Sequence, residues 1–186
     1  MVSDAALKRP APVPEPDEVL VARAAHGDDK AFTQLYRRHA RYIAGVVFRL
    51  LGDPTELDDV VQETFLACRQ GLAALNEPDK LRPWLVTIAV RRVQRRLSAR
   101  ARRRWLGVEL GLFSPRLSDP ELSRQVSDLY RSLDGLSPNL RMPWVLARIE
   151  GASLEEVAAW CEVSLATTKR RLARADRYLQ RKLSRG

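Results

Sequence analysis

Apolar residues recur at helical spacing over most of this chain, and no segment alternates every second residue, so the pattern predicts helices and no sheet. Val19, Leu20, Ala24 and Ala25 start a first helix near Asp17, which Gly27 ends. A long helix is expected from about Lys30, behind Asp28 and Asp29, with Phe32, Leu35, Tyr36, Ile43, Val46, Val47, Leu50 and Leu51 on or near one face. Gly52-Asp53-Pro54 stops it. Thr55 with Asp58 three residues on resembles a capping box for the next helix, which carries Leu57, Val60, Val61, Phe65 and Cys68 to Gly71. Asn76 to Lys80 reads as a loop, and a third long helix follows Pro83 with Trp84, Leu85, Ile88, Ala89, Val93 and Leu97.

After Trp105 the period is lost. Residues 106–120 (LGVELGLFSPRLSDP) hold two glycines and two prolines and read as a linker that docks transiently, with Leu110, Leu112 and Phe113 free to stick to either side. Helical spacing returns at Glu121 with Leu122, Val126, Leu129 and Leu133, breaks at Gly135 and Ser137-Pro138, and resumes from Leu140 to Ile149 despite Pro143. Residues 1–16, with prolines at 10, 12, 14 and 16, read as a disordered tail. The expected architecture is all-α: two small helical domains, 17–105 and 121–186, joined by the linker.

The last unit carries a more specific signal. Ser153 and Glu156 form a capping box for Leu154 to Trp160, a short turn follows at Cys161-Glu162-Val163, and Ser164 caps a second helix, LATTKRRLAR. Helix, short turn and base-rich helix is the layout of a helix-turn-helix reader. Ser164, Thr167, Lys169, Arg170, Arg171, Ala173 and Arg174 are the candidate contacts; from Thr167 to Arg174 they lie within about two turns, where Lys and Arg can meet guanine edges and Thr or Ala a thymine methyl. The alternative is an amphipathic helix pair with a solvated basic face; the two caps and the small Ala158 at the packing position favour the reader.

Charge sharpens this picture. Lys plus Arg number 32 against 23 Asp plus Glu, a net +9, and 45% of residues are apolar, enough to bury a core. From Arg82 to Arg104 there are nine arginines and no acid, with Arg91 and Arg95, and Arg92 and Arg96, as like-charged pairs one turn apart. Each pair is unfavourable by about 0.2–0.5 kcal/mol, which a polyanion such as DNA relieves. An anionic membrane is a poorer fit, because the opposite face of this helix supplies core residues. The apolar run from Ile43 to Leu51 is interrupted by Arg49 and is far shorter than the roughly 20 residues of a membrane span. With no signal-peptide core either, the chain is expected to be soluble and cytoplasmic, and Cys68 and Cys161, far apart, suit a reducing compartment. No phosphate loop, GxSxG or HExxH occurs, and His26 and His39 sit in no catalytic or metal motif and read as surface or helix-end residues. The expectation is a binding protein, with no enzyme activity, cofactor or metal.

Two stretches, AFTQLYRRHARYIAGVVFRLLGDPTELDDVVQETFLACRQGL and LRPWLVTIAVRRVQRRL, resemble the second conserved domain of bacterial RNA polymerase sigma factors of the extracytoplasmic-function (ECF) group. SLDGLSPNLRMPWVLARIEGASLEEVAAWCEVSLATTKRRLARADRYL resembles their fourth. The resemblance implies a transcription initiation factor that brings core polymerase to promoters. Asp58, Asp59, Gln62, Glu63 and Phe65 would dock on the clamp coiled coil of the largest subunit, and the fourth domain on the flap of the second subunit. Asn76, Lys80, Arg82, Trp84, Arg91, Arg92, Arg95 and Arg96 would engage and help melt the minus-10 element, and the helix-turn-helix would read the minus-35 element. An anti-sigma partner is implied in the same way. Two kinds of departure stand out: Arg91 and Arg95 replace a usual Asn and Asp, and Glu162 and Thr168 replace a usual glycine and a branched apolar residue. Two other readings stay open on the residues alone. One is a one-component helix-turn-helix regulator that binds its operator unaided; the other is a basic RNA-binding protein.

Overall fold

The computed structural model describes residues 15–105 and 129–183; side chains are described except at 104, 105 and 183. Among these residues there is no strand. The helices are α1 (Asp17–Ala25), α2 (Asp29–Leu51), α3 (Leu57–Gly71), α4 (Leu81–Trp105), α5 (described over 129–134), α6 (Pro138–Arg148), α7 (Leu154–Trp160) and α8 (Leu165–Leu183). The linker 106–120, the start of the helix expected at Glu121 and most of the tail lie outside the described residues.

Local chemistry accounts for the boundaries. The Asp28 carboxylate accepts from the backbone N–H groups of Lys30 (2.9 Å) and Ala31 (3.1 Å), satisfying two donors that α2 cannot use itself. Gly52, at φ 67°, ends α2 in the left-handed conformation that favours glycine. The capping box expected at Thr55 does not form. Asp53 accepts from the Thr55 N–H instead (2.8 Å), and Glu56 precedes α3 without a side-chain cap. The Glu56 carboxylate is drawn to Arg96 and Arg100, two charged donors that outcompete a neutral N–H. Helix α4 begins at Leu81, two residues before the expected start; Pro83 is accommodated in the first turn, where an N–H has no helical partner.

Helices α2, α3 and α4 pack around Leu35, Ile43, Leu50, Val60, Phe65, Leu85 and Val93, with α1 laid across α2. His39 is a correction: it is buried, and its Nε2 lies 2.8 Å from Asp17 Oδ2, which ties α1 to α2. Glu15 and Pro16, assigned to the tail, are part of this structure; the Glu15 carboxylate accepts from Arg23.

The C-terminal helices pack against the N-terminal unit: α6 meets α2 and α4, and α7 meets α4, so both units share one continuous buried cluster. Arg141 of α6, only 2% exposed, donates to the carbonyls of Leu50 (3.2 Å) and Leu51 (2.8 Å) and pairs with Asp134. It thus caps the carbonyl end of α2, where a cation is favoured. Burial presses the Arg141 pKa down and Asp134 opposes the change. Gly52 leaves room for this junction: a Cβ there would lie 2.8 Å from Arg141 Nη2 and overlap the Tyr130 ring. Gly52→Ala is therefore expected to cost about 1–3 kcal/mol in urea unfolding, from the positive φ plus the lost fit.

Candidate nucleic-acid interface

The helix-turn-helix is built as its caps require. The Ser153 Oγ accepts from Glu156 N (3.2 Å) and the Glu156 carboxylate accepts from Ser153 N (2.8 Å), closing the capping box of α7. Ser164 Oγ accepts from Thr167 N (3.2 Å) at the start of α8. Thr168 is fully buried and its hydroxyl returns to the Ser164 carbonyl (3.3 Å), so its methyl fills the place of the usual branched side chain. Leu172, Ala175 and Leu179 continue that buried stripe. Trp144 Nε1 (2.8 Å) and Arg148 (3.0 Å) both donate to Asp176, fixing α8 on α6. Gly135 admits the Tyr178 ring beneath, where a Cβ would overlap the hydroxyl.

These constraints leave Ser164, Lys169, Arg170, Ala173 and Arg174 exposed on one side of α8, with Thr167 and Arg171 half-buried at its margins. The exposed arginine row continues through Arg177 and Arg181. Spacing of three and four residues puts these bases on one helical face, as a phosphate-lined groove requires.

The arginine run of α4 divides between two faces. Arg92, Arg96 and Arg100 turn toward α3: Arg96 pairs with Glu56 (3.2 Å) and Glu63, Arg92 approaches Glu63 (3.9 Å), and Arg100 binds Asp53 (3.1 Å) and Glu56 (2.8 Å). Half of the expected unrelieved repulsion is therefore cancelled inside the protein. Arg100 and its two carboxylates are largely buried, so this set ties the loop before α3 to α4. The other face presents Arg91, Arg95 and Arg102, which with Gln94 and Ser98 line an open depression of about 380 Å³. Its remaining lining residue is Glu162 of the helix-turn-helix, ion-paired with Arg91. Glu162 stands at φ 53°, the left-handed region where glycine is usual. Two of the departures noted in the sequence thus meet in space.

The other minus-10 candidates sit at the opposite end of α4. Asn76 is exposed between two short 3₁₀ turns (Leu72–Ala74 and Pro78–Lys80), and Lys80 pairs with Glu77, which raises its pKa. The Arg82 guanidinium stacks 3.8 Å above the Tyr42 ring. Trp84 is half-buried, with its ring edge where a Cβ on Gly71 would lie 3.1 Å away.

On α3, Asp58, Asp59 and Gln62 are exposed, whereas Phe65 is not: it is 4% exposed and meets Tyr36 edge-on at 4.7 Å. The large apolar side chains exposed beside them are Leu66 and Tyr36, 52% and 42% exposed. Leu66 is four residues after Gln62 and eight after Asp58, so a helical count places it on their face; Phe65 shares the face of Val61 and Cys68. Leu66, Tyr36, Phe32, Gln62, Asp58 and Arg69 line a groove of about 440 Å³. Glu63 is engaged by Arg96 and turns from the acidic ridge toward α4.

Burial pushes the Cys68 thiol up to about 12 and the Cys161 thiol up to about 11, so neither is ionised near neutral pH. Among the described residues, no group of three His, Cys, Asp or Glu could hold a metal ion, and no helix is long and apolar enough to cross a membrane.

Comparison with known proteins agrees with this layout. The family model for sigma-70 region 2 matches residues 35–103. The ECF RNA polymerase sigma-E factor of Escherichia coli strain K12 is 31% identical over 180 residues, covering 90% of this chain and 94% of that protein. Among solved structures, CnrH in complex with the cytosolic domain of CnrY is 29% identical, with a TM-score of 0.62 over 90% of this chain and 97% of that one. The sigma factor RpoE of Bartonella quintana, solved with the anti-sigma factor NepR, has the same fold at 24% identity, with a TM-score of 0.63 over 83% of this chain and 98% of that one.

Proposed function

The chain belongs to the ECF RNA polymerase sigma factors, and on that premise we propose that it directs core polymerase to promoters by reading the minus-35 element with α8 and helping melt the minus-10 element with α4. The observation that carries the reading is the exposed face of α8, where Lys169, Arg170, Ala173 and Arg174 project together from a doubly capped helix-turn-helix. Lys169 and Arg170 supply base-edge donors, while Arg174, Arg177 and Arg181 follow phosphates. On α4, the outward row of Arg91, Arg95 and Arg102 tracks the displaced strand. Arg92 and Arg96 hold α3 in place, and Asn76, Lys80, Arg82 and Trp84 form the loop end of the minus-10 surface.

The groove beside Asp58, Asp59 and Gln62 docks the clamp coiled coil of the largest polymerase subunit, with Leu66 and Tyr36 as the apolar contacts. The C-terminal unit engages the flap of the second subunit. An anti-sigma protein holds the factor in the cytoplasm until it is needed, a reading supported by the complexes of the two similar structures.

Pull-down with core polymerase followed by run-off transcription on genomic templates tests this. New start sites are expected only when the chain is present. Arg170→Ala is expected to lower initiation by about 10- to 100-fold, the loss of a base contact of about 1–3 kcal/mol. Start sites that do not change on adding the chain would refute the proposal, and tight unaided binding to a palindromic duplex would point to a one-component regulator.

A further inference from the structure

The ion pair between Arg91 and Glu162 joins helix α4, the proposed strand-binding element, to the turn of the helix-turn-helix. Elements named minus-10 and minus-35 lie about 25 base pairs apart, roughly 85 Å at 3.4 Å per pair. Glu162 precedes the first residue of α8 by only three positions. Two readers held together through this pair cannot occupy both elements, so the contact must break before the promoter is spanned.

The pair is also placed to break. Arg91 and Glu162 are 50% and 58% exposed, so water and a competing anion reach both partners. Arg91 opens directly onto the depression lined by Arg95 and Arg102, in which Glu162 is the one acid among the lining residues. A carboxylate there satisfies the same guanidinium donors that a phosphate oxygen would. Other polar contacts across this junction are Arg49 with Glu150, Gln94 with Asn139 (3.3 Å), Tyr130 with the Arg49 carbonyl (3.5 Å), and the buried Arg141 with the α2 carbonyls. Glu162 reaches Arg91 from a backbone conformation that L side chains rarely adopt.

We propose that Glu162 is a built-in competitor for nucleic acid: in the free chain its carboxylate occupies the Arg91 guanidinium, and a backbone phosphate of the melted strand takes its place when the two units separate. The C-terminal unit thereby screens the strand-binding face of α4 until a polyanion displaces it. The inference rests on the strand-binding role proposed for α4, and adds that this face is self-occupied.

A double-mutant cycle on the full chain tests it, with fluorescence anisotropy of a labelled, mixed-sequence, single-stranded DNA 20-mer at low salt. Glu162→Gln is expected to tighten binding about three- to five-fold, the range that an exposed ion pair commands. Arg91→Gln is expected to weaken binding, and adding Glu162→Gln to it is expected to change nothing further, because the competitor acts only through that guanidinium. An equal gain from Glu162→Gln in both backgrounds would show a general charge effect and overturn the proposal; so would no gain in either. Circular dichroism melts check that all three variants fold. The assay contains no polymerase, so a chain that ignores polymerase yet gives the expected cycle would sink the proposed function and leave this inference standing.

Discussion

Leu66→Asp is expected to reduce promoter-directed run-off by at least about tenfold while leaving the melting temperature nearly unchanged. Half of the Leu66 surface faces solvent beside Tyr36 and the Asp58–Gln62 ridge, so a charge there disturbs nothing inside the protein. It would place a desolvated carboxylate at the centre of the proposed polymerase contact, where truncating one anchor commonly costs about 2 kcal/mol or more. The neighbouring residue gives the opposite result. Phe65→Ala removes a ring that is 4% exposed and packed on Tyr36, and is expected to cost about 3–5 kcal/mol of stability. Thermal unfolding and affinity for core polymerase, measured on both variants, check the pair. If Phe65→Ala melts normally yet loses polymerase, or Leu66→Asp unfolds, the assignment of the two faces of α3 is reversed.

Arg141→Met is the second large effect. The substitution keeps much of the volume but strips the α2 carbonyls of Leu50 and Leu51 of their donors and leaves Asp134 without its partner in this pair. Removing one side of a buried ionic arrangement costs about 3–5 kcal/mol, and Asp134, 22% exposed, recovers part of that from water. A net loss of about 2–4 kcal/mol is expected. Because these bonds connect α6 to α2, the urea transition is expected to broaden or split as the two units uncouple. A single transition with an unchanged midpoint would show that the junction contributes little. Arg49→Gln, which removes only the half-exposed pair with Glu150, is expected to shift the midpoint far less.

The helices and their caps were readable residue by residue. Asp28, Ser153 and Ser164 act through bonds to backbone groups two or three positions away, so the local sequence contains everything the interaction needs. The exposed bases of α8 were legible for the same reason: the period of the helix assigns their face once its buried stripe is known. The box at Thr55 failed because Asp53, two residues back, accepts from its N–H. Glu56 answers to Arg96 and Arg100 and Asp53 to Arg100, forty or more residues on, and a run of arginines does not announce which members meet acids from elsewhere in the fold. His39 reads as a surface residue until α1 lays Asp17 against it.

Fold class, helix order and the reader motif therefore followed from periodicity, capping chemistry and local charge, and the ECF resemblance from the matching sequence stretches themselves. These are short-range properties, and neighbours along the chain carry them. Which arginines of α4 face outward, why Leu66 rather than Phe65 faces solvent, and the docking of the C-terminal helices through Arg141 and Glu162 rested on packing. Contacts between residues 70 or 90 positions apart depend on how helices are oriented in space, and a one-dimensional pattern holds no term for that orientation.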